Sequence, residues 1–154
     1  MGPIAKFLHD DHRRLEALLN RGDYEEFREG LLRHIAMEEK VLLPAAKRYN
    51  GGEPLSVAAQ LRLDHSAIAA LLVPTPTPAI LQQLREILTL HNPLEEGERG
   101  LYAECERLAG AEIDALVEKL GAVPKVKVAK HFDGPRAFAA IEDLLRAARA
   151  ARKL

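Results

Sequence analysis

The sequence predicts an all-α protein: an up-down four-helix bundle made of two duplicated helical hairpins, plus a C-terminal extension that ends in an amphipathic helix. Four segments carry apolar residues at helical spacing, and glycine, asparagine or proline bounds each of them. The 154 residues are 47% hydrophobic, which is enough to build one buried core. Motifs of the first half also recur in the second half. We therefore expect the bundle over residues 1–121 and the extension over residues 122–154.

The first predicted hairpin joins two helices through a glycine turn. The first helix is expected from Pro3 to Leu19, because proline suits a first helical turn and a glycine at position 22 follows as a stop signal. The second helix is expected to begin at Asp23, whose Glu26 three residues later resembles a capping box. Its inner face includes Val41, and it closes at Gly51 and Gly52.

The second predicted hairpin has a proline-rich connection. Its third helix is expected over residues 56–72, and the alternating prolines of residues 74–78 end it. The fourth helix follows from Ile80 and places His91 and Tyr102 on one stripe. Pro93 and the glycines at 97 and 100 predict a kink or break beyond His91. A shorter helical piece over residues 111–120 is expected to end at Gly121.

The extension differs in charge from the rest of the chain. Residues 1–121 carry 14 basic and 20 acidic residues, a net charge of −6, whereas residues 122–154 carry 8 and 3, a net charge of +5. A helix over residues 135–153 has one apolar side, formed by Phe138, Ile141, Leu145 and Ala148. We expect this helix to pack on the acidic bundle of its own chain or on that of a second chain; the second arrangement would give a homodimer. Binding to nucleic acid explains the charge less well.

The cysteine count and the hydropathy of the sequence limit the cellular compartments that are expected for this protein. Cys105 is the one cysteine, so an intramolecular disulfide is excluded and a buried, unactivated thiol is expected. No stretch approaches the ~20 apolar residues of a membrane span, and the N-terminus lacks a basic region followed by an apolar run. These features predict a cytoplasmic protein without a membrane partner.

An internal repeat relates the two hairpins. Residues 11–19, beginning Asp11-His12, align with residues 64–72, beginning Asp64-His65. The same relation aligns two later sets of four residues: Leu31, His34, Glu38 and Glu39 match Leu88, His91, Glu95 and Glu96. We therefore expect one helical hairpin to occur twice in the chain, with a different loop.

The repeat places polar residues on stripes that should be apolar. Residues four apart on a helix lie one above the other, so each repeat presents a His-x-x-x-Glu pair to the interior. One further histidine per repeat completes the candidate metal ligands, which are His12, His34, Glu38, His65, His91 and Glu95. Imidazole and carboxylate ligands suit iron, manganese or zinc, and glutamates can bridge two ions. Single residues of this kind usually lie at the surface or form satisfied core pairs, but two repeats in register favour a dinuclear metal site.

On these motifs, residues 4–109 resemble the hemerythrin-like, or HHE cation-binding, family. Its first and third helices each supply a histidine, its second supplies His-x-x-x-Glu, and its fourth supplies a histidine followed by a carboxylate. The resemblance implies a non-haem centre of two iron ions joined by an oxo or hydroxo bridge. It also implies that Glu38 and Glu95 are bridging carboxylates.

Two departures separate the chain from oxygen-carrying hemerythrins. Ala69 stands where those proteins have a second helix-three histidine, and Glu95 follows its histidine by four residues instead of five. The chain therefore looks more like the four-His, two-Glu branch, which includes iron-centre repair proteins and oxygen or iron sensors. We expect oxygen or nitric oxide as the ligand at an open metal position, in sensing, iron handling or repair.

Two other functions remain alternatives at this stage. In the first, an open di-iron site activates oxygen or peroxide as an oxidase or peroxidase, but no convergent acid, base or anion clamp is evident in the sequence. In the second, the metal only stabilises a helical regulatory module. We therefore assign no catalytic residues and favour a metal-binding, redox-responsive protein over an enzyme.

Several polar neighbours of the candidate ligands are left outside the site. Asp11, Asp64 and Glu96 are expected mainly as solvated or pairing residues, with an orienting role toward a ligand imidazole as the lesser alternative. His9 is expected in solvent. An aromatic residue on a core stripe is usually a packing residue, so Tyr102 is assigned to the core rather than to the floor of the site.

Overall fold

The computed structural model describes residues 1–153 and confirms the all-α prediction. No β-strand occurs among these residues, and a π-helical segment and a short 3-10 turn join some of the helices. The α-helices are α1 Pro3–Arg21, α2 Tyr24–Met37, α3 Leu43–Tyr49, α4 Ala58–Leu71, α5 Pro78–Glu96, α6 Leu101–Ala109, α7 Ile113–Ala122 and α8 Pro135–Arg152. Within this part of the chain, no helix combines the length and apolar character that crossing a membrane requires.

The chain divides into two compact units. The first unit comprises Met1–Ser56 and Glu95–Val128, and the second comprises Val57–Leu94 with the described residues from Ala129 onward. The four-helix bundle over residues 1–121, and its separation from the extension, remain predictions.

Helix α1 of the first unit ends at a glycine, as expected. Gly22 has φ 85°, the left-handed conformation, and its N–H bonds to the carbonyl oxygens of Leu18 and Leu19. The capping box expected at the start of α2 is wrong, because Asp23 makes no side-chain cap. Its carboxylate instead accepts a hydrogen bond of 2.6 Å from Nε of Arg21.

The second predicted helix is interrupted by a π-helical segment, Glu38–Leu42, between α2 and α3. Pro44, in the first turn of α3, has no N–H to donate, and the N–H of Leu43 bonds five residues back to the Glu38 carbonyl. The extra residue in this turn rotates the following side chains. Leu42 is therefore buried, whereas Val41, which was predicted on the inner face, is only half-buried.

The break predicted beyond His91 lies at residues 97–100. Helix α5 continues through Pro93 and ends at Glu96, and α6 begins at Leu101. Tyr102 therefore lies on a separate helix, and its predicted place on the stripe of the fourth helix is wrong. The predicted cap at Gly121 is also wrong, because α7 continues to Ala122.

In the second unit, α8 packs on α4. Ile141, Leu145 and Ala148 are buried as predicted, but Phe138 is 43% exposed, and Ala137 is buried instead. A side-chain amide also crosses between the helices, because Nε2 of Gln60 donates to the carbonyl of Ala148 at 2.9 Å. The apolar face of α8 is therefore covered within its own chain.

The glycines at 22 and 121 provide a matched test of the helix ends. We expect Gly22→Ala to lower the free energy of unfolding by about 1 to 2 kcal/mol, because a Cβ strains the left-handed backbone. Gly121 is helical, and an added Cβ would meet the ring of Phe7 at 3.9 Å, an ordinary contact. Gly121→Ala should raise the free energy of unfolding by about 0.5 kcal/mol. Urea titrations of both variants measure these changes. Equal changes in the free energy of unfolding would contradict the role of Gly22 as the C-terminal cap of α1.

Candidate metal centre

The first unit brings together four of the six predicted ligands. They come from three places in the chain: His12 from α1, His34 and Glu38 from the end of α2 and the start of the π-helical segment, and Glu95 from the end of α5. One ligand atom of each lies within 4.8 Å of the others. Both glutamates are 0% exposed and His34 is 1% exposed, so this cluster lies in the core.

The facing atoms are nitrogens and oxygens that bind metals in proteins. Nε2 of His12 lies 3.2 Å from Oε1 of Glu95, and Nε2 of His34 lies 3.4 Å from Oε2 of Glu38. The second pair shows that the four-residue spacing places both side chains at one point, as predicted. Two imidazoles and two carboxylates form a donor set that suits iron, manganese or zinc, so the cluster can hold a metal ion.

Tyr102 reaches into this cluster from α6. Its hydroxyl donates to Oε2 of Glu38 at 2.6 Å and lies 3.2 Å from Oε1 of Glu95. The same oxygen lies 3.3 Å from Nε2 of His12 and 3.2 Å from Nε2 of His34. Helical spacing does not predict this role of Tyr102, because the turn at residues 97–100 interrupts the fourth predicted helix before it.

Carboxylates also hold the far nitrogens of the two imidazoles. Nδ1 of His34 lies 2.7 Å from Oδ2 of Asp11, and Nδ1 of His12 bonds to the Glu96 carboxylate. Ionised carboxylates only accept hydrogen bonds, so Nδ1 carries a proton in both rings and Nε2 faces the cluster. This is the usual arrangement of metal-binding histidines, and Asp11 and Glu96 therefore take the orienting role that was the lesser expectation.

The second unit holds the other two predicted ligands. His65 and His91 are both buried, and their ring centroids are 5.0 Å apart. Nδ1 of His91 lies 2.9 Å from Oδ2 of Asp64. Asp64 and Asp11 occupy equivalent positions of the sequence repeat, so the repeat includes the carboxylate that orients a histidine as well as the histidine itself.

The electrostatic environment of the first-unit cluster favours cations. Burial disfavours the charged form of His12, but the carboxylates of Glu95 and Glu96 outweigh it and raise the pKa of His12 to about 10. Burial and the two glutamates raise the pKa of Tyr102 well above its usual value, so its hydroxyl remains a donor. Metal binding by these imidazoles would therefore displace protons.

Protein-family models, curated proteins and solved structures were compared with this chain, and none matches it. The all-α structure and the buried histidine and glutamate side chains are compatible with a hemerythrin-like fold. The function is therefore inferred from the metal-binding side chains and their hydrogen bonds.

Replacing Tyr102 with phenylalanine tests whether its hydroxyl supports the carboxylates. We expect the metal-free variant to lose about 1 to 3 kcal/mol of the free energy of unfolding at neutral pH, because a buried carboxylate loses its donor. Chemical unfolding of metal-free protein measures this change.

Tyr49→Phe is the matched control, since Tyr49 lies on α3, is half-buried and is not one of the candidate ligands. That variant should change the free energy of unfolding by less than about 0.5 kcal/mol. If the two variants are equally stable, the hydrogen bonds of Tyr102 do not stabilise the cluster.

Proposed function

We propose that this chain is a hemerythrin-like, non-haem di-iron protein of the four-His, two-Glu type. Its proposed task is to respond to oxygen or nitric oxide, in sensing, iron handling or the repair of damaged iron centres. The observation that carries the proposal is the buried cluster of His12, His34, Glu38 and Glu95. The bundle of two duplicated hairpins is part of the same proposal and is supported by the sequence repeat.

Burial of the glutamates supports a bound cation. Removing a carboxylate from water costs several kcal/mol unless opposite charge and hydrogen bonds compensate. Glu38 and Glu95 are both fully buried, and imidazole nitrogens and a tyrosine hydroxyl surround them. The raised pKa of His12, about 10, places a positive charge beside these carboxylates in the metal-free protein, and a metal ion would supply positive charge more strongly. The site thus has the charge balance of a cation-binding site.

The sequence repeat supports a second ion. His12 and His34 would bind one ion, and His65 and His91, their equivalents in the repeat, would bind the other. Glu38 and Glu95 are proposed to bridge the pair, as the family resemblance implies. Orientation of His34 by Asp11 and of His91 by Asp64 supports equivalent roles for these two imidazoles.

The position of Ala69 supports a small ligand. An alanine there leaves the ion at His65 and His91 with one imidazole fewer than the oxygen-carrying hemerythrins have. Bound iron would supply reversible one-electron oxidation and an open position for a diatomic molecule. The chain's own residues orient the imidazoles through Asp11 and Asp64, and Tyr102 holds a proton against the carboxylate of Glu38.

Metal reconstitution tests the proposal. Metal-free protein would be loaded with ferrous iron under argon, analysed for bound iron, and exposed separately to air and to nitric oxide. We expect two iron ions per chain, near-ultraviolet absorption of the ferric form after air, and a distinct spectrum with nitric oxide. Glu38→Gln should remove most of the bound iron, because this side chain is assigned to both ions.

The control for this experiment is His131→Ala. The Nδ1 atom of His131 bonds to the carbonyls of Val73 and Pro74, away from the six ligands, so the variant should bind as much iron as the natural protein. If the natural protein binds no more iron than Glu38→Gln does, the proposal is disproved. A tightly held pair of zinc ions without any reaction to air would favour the metal-stabilised module instead.

A further inference from the structure

Asp64 receives four hydrogen bonds in the core of the second unit, where it is 0% exposed. Nδ1 of His91 binds Oδ2 at 2.9 Å, and Nε2 of Gln60 donates to Oδ1 at 3.0 Å. The guanidinium of Arg152 donates to both oxygens, with Nη1 to Oδ1 at 2.7 Å and Nη2 to Oδ2 at 2.6 Å. A carboxylate held in this way has one orientation.

The equivalent aspartate of the first repeat is held differently. Asp11 binds His34 and a local arginine, Arg14, which lies one turn further along α1 and donates to Oδ1 at 3.0 Å. The sequence repeat places Ala67 at the position of Arg14. The second repeat therefore has no arginine of its own at this point, and Arg152 of the C-terminal helix takes that place.

The two arginines differ in how firmly they are held. The side chain of Arg14 is 48% exposed, whereas that of Arg152 is 21% exposed. Burial of Ile141, Leu145 and Ala148 anchors α8 on its apolar side. A paired, bidentate guanidinium in a partly buried position makes stronger and more directional bonds than a half-exposed one. Asp64 therefore depends on Arg152 more than Asp11 depends on Arg14.

We propose that Arg152 is a positioning residue for the metal ligand His91, acting through Asp64, so that docking of the C-terminal helix completes one half of the metal centre. This inference rests on the proposed function for its consequence in metal binding. The extension then contributes a residue that supports the site. Metal binding by His65 and His91 would then be sensitive to any change that separates α8 from α4.

The loss of Arg152 should affect one ion selectively. Without the guanidinium, Asp64 keeps two of its four hydrogen bonds and is no longer held in the orientation that His91 requires. Removal of residues that orient a ligand typically reduces metal affinity about 10- to 100-fold. We expect that loss for one of two ions in Arg152→Gln, and a smaller loss, below about 5-fold, in Arg14→Gln, because Arg14 is half-exposed.

Cobalt titration of the metal-free full chain measures the affinities, since the visible absorption of cobalt(II) reports its coordination by protein ligands. The variants are Arg152→Gln, Arg152→Lys, Arg14→Gln and, as a control on the exposed side of α8, Arg149→Gln. Lysine keeps the charge without the bidentate geometry, so Arg152→Lys should have an intermediate affinity. Circular dichroism of each variant shows whether α8 remains folded. If Arg152→Gln does not fold, the metal affinity of Arg152→Lys is compared with that of the natural protein, and an unchanged affinity contradicts the proposal.

A second measurement needs no metal. The imidazole Nδ1 proton of His91 bonds to Asp64, so its nuclear magnetic resonance signal should exchange slowly in the natural protein. Arg152→Gln should increase that exchange at least 10-fold, and Arg149→Gln should leave it unchanged. The corresponding proton of His34 should be unaffected by Arg152→Gln, because Asp11 holds it.

These two measurements separate the inference from the proposed function. If the natural protein binds fewer than two cobalt ions while His91 exchange still depends on Arg152, the di-metal function fails and the positioning role stands. If the natural protein binds two ions and Arg152→Gln binds both with unchanged or higher affinity, the inference is overturned. Unchanged exchange of the His91 proton in Arg152→Gln would also overturn it.

Discussion

Two glutamates without solvent contact impose the main constraint on the first unit. Glu38 and Glu95 are 0% exposed, and burying a carboxylate is costly unless its oxygens find donors or cations. Each glutamate faces an imidazole, and the Tyr102 hydroxyl donates to Glu38 and lies 3.2 Å from Glu95. Behind the imidazoles, Asp11 and Glu96 bind the far nitrogens. The hydrogen-bonded network thus extends over two layers of side chains, and its outer layer determines which nitrogen faces the cluster.

Backbone irregularities accompany this network. Glu38 is the first residue of the π-helical segment, whose extra residue rotates the later side chains so that Leu42 replaces Val41 in the core. The helix is also interrupted between Glu96 and Leu101, and this turn allows α6 to direct Tyr102 toward Glu95. A regular helix through residues 97–100 would not direct Tyr102 toward these carboxylates. Helix interruptions of this kind are common at functional sites, and here both adjoin a candidate ligand.

The sequence repeat accounts for the similar positions of the histidines in the two units, but not for the residues that hold their aspartate partners. In both repeats an aspartate directly before a histidine binds the imidazole of another helix. The first repeat pairs that aspartate with Arg14 of the same helix, whereas the second uses Arg152 from the C-terminal helix. The basic extension, which the charge distribution assigned to docking, therefore contributes a specific ion pair to the core. The aspartate of the second repeat is thus held by an arginine far away in the chain, whereas the aspartate of the first repeat is held by a neighbour on its own helix.

The sequence by itself determined the all-α class and many of the inner-face positions, because helical periodicity is a local property, although it misplaced Val41 and Phe138. It thereby predicted that His34 and Glu38 meet, and the repeat identified His12 and Glu95, which join them in one cluster. Only the tertiary structure decided the parts that depend on contacts far apart in the chain. Tyr102 is 64 residues from Glu38, and Arg152 is 88 residues from Asp64. Periodicity shows which side of a helix faces inward, but not which distant side chain it meets there.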